Sequence, residues 1–154
     1  MTLEGGCQCG AVRYRISGRP FHLTLCHCEI CRRVSGAPAV AWFSVAVAAF
    51  SILQGSPQRY RSSETATRSF CANCGTQLTF KADDLDEIDV TTCSLDSPDP
   101  MPPEDQTFVR SRLGWFQGLD RLPEHDGART TALVTTASAA LSLRDGADSA
   151  PSSI

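Results

Sequence analysis

Lysine is almost missing from this sequence: Lys81 stands alone against thirteen arginines, which are scattered along the 154 residues rather than gathered in a stripe. With a formal net charge of -3, the chain has no basic footprint to track a phosphate backbone, so a nucleic-acid partner is unsupported. Long apolar runs are missing too. The longest, Ala37 to Phe50, is broken by Ser44 and falls short of the ~20 apolar residues that cross a bilayer, so it reads as a core segment with no membrane role. Helix-period stripes are scarce, and there is no internal repeat. The opening residues, Met1-Thr2-Leu3-Glu4-Gly5-Gly6, lack the cationic segment followed by an apolar run that marks a secretory signal. The expectation is a cytoplasmic protein, and the length predicts one domain with a modest core.

Cysteine, by contrast, is abundant. Eight cysteines in a chain expected to stay in a reducing compartment should hold metal rather than pair as disulfides, and zinc is the first candidate. The rest of the pattern predicts an all-β fold. Val12, Tyr14 and Ile16 alternate with Arg13 and Arg15, while Val40, Trp42 and the stretch Val45 to Phe50 are β-branched and aromatic; both read as strands. Further short strands are predicted through Arg68-Ser69-Phe70, Gln77 to Phe80 and Ile88 to Cys93. Turn residues at Gly18-Arg19-Pro20, Ser35-Gly36-Ala37-Pro38 and Gly55-Ser56-Pro57 cut the chain into short segments. The prolines of Ser97 to Glu104 make that segment a surface crossing, and Phe108 to Leu122 is expected to return to the core. Residues 1–127 read as the zinc-binding β domain. Residues 128–154, rich in Ala, Ser and Thr, are expected to form a mobile tail, with one short helix between Ala137 and Leu143.

Seven cysteines fall into three groups: Cys7-Gln8-Cys9, Cys26-His27-Cys28-Glu29-Ile30-Cys31 and Cys71-Ala72-Asn73-Cys74. A structural zinc takes four protein ligands, whereas a catalytic zinc keeps three and leaves a fourth position open. Seven divides as four plus three. The outer groups supply two thiolates each, and Cys71-x-x-Cys74-Gly75 has the turn of a zinc knuckle, so Cys7, Cys9, Cys71 and Cys74 are expected to close a structural site. Cys26, Cys28 and Cys31, from one tight loop, are then the candidate open site. The alternative is a second structural zinc completed by His27, His22 or Cys93. His27 sits between two ligands, where its ring would have trouble reaching the same metal, and Cys93 lies in a strand-like run where a lone cysteine is expected to be a small buried hydrophobe.

These groups, together with Arg32-Arg33-Val34-Ser35-Gly36-Ala37-Pro38, Arg68-Ser69-Phe70, Ser94-Leu95-Asp96, Ser111-Arg112-Leu113-Gly114-Trp115 and Asp120-Arg121-Leu122-Pro123, resemble the glutathione-dependent formaldehyde-activating family, which includes the centromere protein V type domain. The resemblance covers roughly residues 3 to 127. It implies a tent-like all-β fold, a structural zinc at Cys7, Cys9, Cys71 and Cys74, and a catalytic zinc at Cys26, Cys28 and Cys31. It also implies carbon-sulfur lyase chemistry, in which glutathione and formaldehyde form S-hydroxymethylglutathione. Two departures bear on the pocket: Gln106-Thr107-Phe108 stands where members often carry His-Ile-Trp, and Cys93 where a glycine is common.

The chemistry expected is therefore a zinc enzyme with two zinc ions, acting on a small-molecule thiol and aldehyde, with glutathione as co-substrate. Arg32 and Arg33, directly after the last ligand, are candidates to offset thiolate charge or to hold a glutathione carboxylate. Glu29 is a candidate acid or base beside the loop, against a surface carboxylate as the plainer role. Trp42, Trp115 and Phe116 are expected in the core or the pocket wall. The competing classes are a non-catalytic zinc module that binds a protein partner, and a thiol redox sensor that loses zinc on oxidation.

Overall fold

A computed structural model of the chain describes residues 1–128. The chain divides after Gln117 into two units, and every strand among the described residues lies in the first. That unit is built from two sheets, one of three strands in the order β1-β2-β5 and one of seven in the order β10-β3-β4-β9-β8-β7-β6. The strands are β1 (Thr2–Gly6), β2 (Arg13–Ser17), β3 (Phe21–Cys26), β4 (Val40–Ala46), β5 (Phe50–Gln54), β6 (Gln58–Ser63), β7 (Ala66–Phe70), β8 (Gln77–Ala82), β9 (Glu87–Thr91) and β10 (Asp105–Thr107). Neighbours run antiparallel except β10, which adds to β3 in parallel. The predicted all-β fold is the observed one. No helix among the described residues is long and apolar enough to cross a membrane.

Alternation along β4 positions the site. Val40, Trp42 and Ser44 point to one face of the large sheet and Phe43 and Val45 to the other, and all five are buried. Phe43 and Val45 join Tyr14 and Ile16 of β2, Leu78 of β8 and Val90 of β9 in the main core. Trp42 and Val40 form a second cluster with Cys26 and Cys31, against which Cys28 and Phe80 pack. One face of the sheet thus makes the core, and the other is left for a cavity.

Several expectations change. The run Val45 to Phe50 is not one strand: Val47–Ala49 is a single 3-10 turn that ends β4 and launches β5 into the other sheet. The strand expected through Cys93 stops at Thr91, and the turn Thr92–Ser94 leaves Cys93 exposed rather than buried. Phe108 to Leu122 does not return to the core. It forms two 3-10 segments without a buried residue, and Phe108, Val109 and Trp115 are exposed, since side chains three apart eclipse in a 3-10 helix and do not lay a broad apolar face. The cysteine loop contains a helix, α1 (Glu29–Ser35). The helix expected between Ala137 and Leu143 lies outside the described residues, as does the tail from residue 129 onward.

Candidate metal centres and the adjoining cavity

The sulfurs of Cys7, Cys9, Cys71 and Cys74 all lie within 4.8 Å of one another. Each pair is presented by a turn. Cys7 and Cys9 follow β1, where Gly10 N donates to Cys7 O at 3.0 Å; Cys71 and Cys74 follow β7, where Gly75 N donates to Cys71 O at 2.8 Å. The Cys71 turn ends in a left-handed residue with φ +75° at Gly75, a conformation that glycine adopts without strain. Cys7 to Cys9 and Cys9 to Cys71 are 3.5 and 3.7 Å apart, sulfur to sulfur. Such separations are far beyond a disulfide bond, and no cysteine of the chain is bridged. They fit a tetrahedron with metal-sulfur bonds of about 2.3 Å, whose edges are about 3.8 Å. In the thiol form these groups share protons unequally. Burial pushes Cys7 up, but the Val12 N–H at 3.2 Å and the neighbouring thiols outweigh it and hold Cys7 below the usual thiol value. Cys74 is drawn down to about 5 by the Thr76 hydroxyl and backbone. Cys9, despite a lowering contact with the Ala11 backbone, is pushed up to about 12 by Cys7 and Cys74.

The second group meets the same test. Cys26, Cys28 and Cys31 have their sulfurs within 4.8 Å of one another. Cys26 ends β3, and Cys28 caps α1 with its sulfur, accepting from Cys31 N at 3.2 Å. A helix of seven residues is too short to show an apolar stripe, and its cap is cysteine rather than the usual Ser, Thr, Asp or Asn. Gly36, at φ +68°, closes it by donating to Arg32 O at 2.8 Å. Hydrogen bonding from Cys31 pulls Cys26 down to about 5, whereas Cys31, facing Cys26, is pushed up. Cys26 is thus the more readily ionised sulfur of this pair, and the thiolate is the form that binds a soft metal.

The three-cysteine group opens into a cavity of about 460 Å³ on the free face of the large sheet. Ser44, Asp89, Phe80 and Arg68 form a row across β4, β9, β8 and β7, each in register with the next, and all line it. Trp42 and Phe80 give it apolar walls. Ser44 Oγ donates to Asp89 Oδ1 at 2.6 Å, and burial is the main force raising the Asp89 carboxyl above its usual value. His22 and Phe108 also line the cavity. Among the described residues these are the non-glycine positions with positive φ, 51° and 54°; such backbone strain tends to gather at functional sites.

The remaining candidates are placed as follows. Arg33 is exposed and paired with Glu29 at 2.6 Å, one helical turn away, and neither Arg32, Arg33 nor Glu29 lines the cavity. His27 is fully buried, and its ring lies outside the cysteine groups. Its Nε2 is hydrogen-bonded to Gln106 Oε1 at 2.9 Å and its ring meets Phe116 edge to face at 4.8 Å. Gln106 thus anchors the loop between Cys26 and Cys28. His22 and Cys93 are likewise outside both groups. Trp42 lines the cavity as expected, but Trp115 is an exposed residue of a 3-10 segment. The residue missed from sequence is Arg68. Its signal was a single charge inside a predicted strand, three positions before Cys71.

Comparison with known proteins identifies relatives of the chain. The sequence matches the family profile described as "Glutathione-dependent formaldehyde-activating enzyme" over residues 2–111. A Halomonas elongata protein named "Putative glutathione-dependent formaldehyde-activating enzyme" is 31% identical over 113 residues, which is 68% of this chain and 72% of that protein. A Schizosaccharomyces pombe protein named "Uncharacterized lyase" is 36% identical over 77 residues, 50% of this chain and 56% of that protein. A crystal structure of a Rhodobacter sphaeroides protein shares the fold with a TM-score of 0.55 at 24% identity, covering 68% of this chain and 100% of that one.

Proposed function

The chain belongs to the glutathione-dependent formaldehyde-activating enzyme family, and on that premise we propose that it is a zinc-dependent carbon-sulfur lyase. Its substrates would be the adducts of glutathione, or of another small thiol, with formaldehyde or a related aldehyde. The observation that carries this reading is the open three-cysteine group beside a cavity of about 460 Å³, a volume typical of small-molecule sites. Cys26, Cys28 and Cys31 would hold the catalytic zinc, and Cys7, Cys9, Cys71 and Cys74 a structural one. When bound, a zinc with three cysteine ligands and an open position offers a soft cation at which a thiol ionises at neutral pH.

The chain's own residues divide the remaining tasks. Trp42 and Phe80 exclude water from the ligand's side of the cysteines. Arg68, whose Nη2 donates to Cys31 Sγ at 3.5 Å, offsets thiolate charge. His27, locked by Gln106, fixes the loop from below. In this reading Arg32 and Arg33 serve the charge balance of α1, and the cation that faces the ligand is Arg68. Unbridged cysteines and thiol chemistry both suit a reducing compartment such as the cytoplasm.

The test is the rate of exchange between glutathione, formaldehyde and their adduct, followed by magnetization-transfer NMR. The protein should accelerate exchange, and Cys28→Ser should abolish the acceleration. Identical exchange with and without protein, for glutathione and for other small thiols and aldehydes, would overturn the proposal.

A further inference from the structure

Arg68 is a cation in an apolar wall. It is 6% exposed, with its guanidinium carbon 4.7 Å from the centre of the Phe80 ring and 5.7 Å from that of Trp42. Two of its three nitrogens are engaged: Nε donates to Ser62 Oγ at 3.1 Å and Nη2 to Cys31 Sγ at 3.5 Å. The third, Nη1, is buried and has no hydrogen-bond partner among the described residues. A buried charged donor left without an acceptor is destabilising by about 1–3 kcal/mol or more, so a native structure that keeps one is expected to have an acceptor supplied from outside. The cation-π contacts stabilise the charge but supply no acceptor for that N–H.

Position tells which acceptor. Nη1 and Nη2 share one carbon, so an atom bound by Nη1 lies within one hydrogen bond of the group that touches Cys31. Arg68 lines the cavity into which Cys26, Cys28 and Cys31 open, so a thiol seated at those cysteines would bring the atoms on its sulfur-bearing carbon toward the guanidinium. In a thiol-aldehyde adduct, that carbon bears an oxygen. Resting on the reading above, we propose that Arg68 Nη1 is the receptor for the aldehyde oxygen. As the thiolate sulfur attacks, the S–C bond forms and the C=O π pair moves to oxygen, which Nη1–H holds as an alkoxide. Water then protonates the alkoxide, while the proton of the starting thiol has left to solvent; thiol plus aldehyde gives the hydroxyalkyl thioether with atoms and charge balanced. Arginine keeps its own proton throughout, so it stabilises the oxyanion without acting as an acid.

The test compares two small thiols of similar acidity on the zinc-loaded protein by calorimetry. Mercaptoacetate carries a charged oxygen near its sulfur, and ethanethiol carries none. The wild type should prefer mercaptoacetate by about ten-fold or more, as one charge-assisted hydrogen bond provides. Arg68→Met should erase the preference, lowering the affinity for mercaptoacetate about ten-fold more than that for ethanethiol in the zinc-loaded variant, and should slow adduct formation about 100-fold. Should Arg68→Met release metal or fail to fold, Arg68→Gln, whose amide can replace the Nε contact with Ser62 Oγ but bears no charge, must show the same loss. A preference unchanged in these variants overturns the proposal. If the preference depends on Arg68 while the wild type accelerates no thiol-aldehyde exchange, the oxygen receptor stands and the assigned reaction falls; acceleration with no dependence on Arg68 gives the reverse.

Discussion

Replacing Cys71 with serine should separate the two cysteine groups by their consequences. Cys71 is 1% exposed and sits in the main core beside Tyr14, Phe43 and Leu78, and its sulfur lies 3.7 Å from that of Cys9, 62 residues away in sequence. Closing a loop of that length has an entropy term of (3/2)RT ln n, about 4 kcal/mol, which the unfolded chain regains when the clip is lost. Metal binding adds more, since structural zinc sites contribute on the order of 10 kcal/mol to folding. A domain's net stability is only about 5–15 kcal/mol, so Cys71→Ser should yield little folded protein. Cys28 is half-buried, outside the main core, and belongs to the open group. Cys28→Ser should leave a folded chain with about one zinc, since the four-ligand site is intact. Circular dichroism melts and metal analysis on both variants decide the matter. Equal unfolding of the two, or a folded Cys71→Ser retaining both ions, would refute the reasoning.

Asp89→Asn should stabilise the protein, and more so at higher pH. Burial raises the folded carboxyl above its unfolded value, so the native state binds more protons than the unfolded one. Stability therefore falls as pH rises from the unfolded value through the folded one. Melts of wild type and variant between pH 5.5 and 8 should show an advantage for Asn that grows or holds with pH, and a less stable variant at pH 8 would contradict it. Removing residues 128–154 should leave the melting temperature and zinc content nearly unchanged, because their composition offers few large apolar side chains to bury. A large drop in either would make that segment part of the domain.

Strand β2 was visible in sequence through its period-2 alternation, and β4 through its β-branched and aromatic residues. Tyr14 and Ile16 are fully buried and their arginine neighbours are not; β7, β8 and β9 lie where short strands were expected, at Arg68-Ser69-Phe70, Gln77 to Phe80 and Ile88 onward, although β7 and β8 do not alternate in burial. Strands β5 and β6 were not predicted, because their side chains are almost all exposed and carry no apolar period. Helix α1 was hidden by its length and its sulfur cap. The grouping of the cysteines was readable because ligand spacing along the chain is short and repeated. The cavity was not: Ser44, Asp89, Phe80 and Arg68 come from four strands and meet only through register, which no local pattern reports. Arg32 and Arg33 drew attention by standing next to Cys31, but on α1 neither faces the cavity.

The central claim is that one cysteine group closes around a metal and the other leaves a position open. The most direct test is zinc release from the purified protein during titration with a chelator, counted per chain. Two zinc ions should be found, one leaving readily and the other only on unfolding, because three protein ligands hold less tightly than four. Two ions that resist the chelator equally, or one zinc alone, would contradict the account.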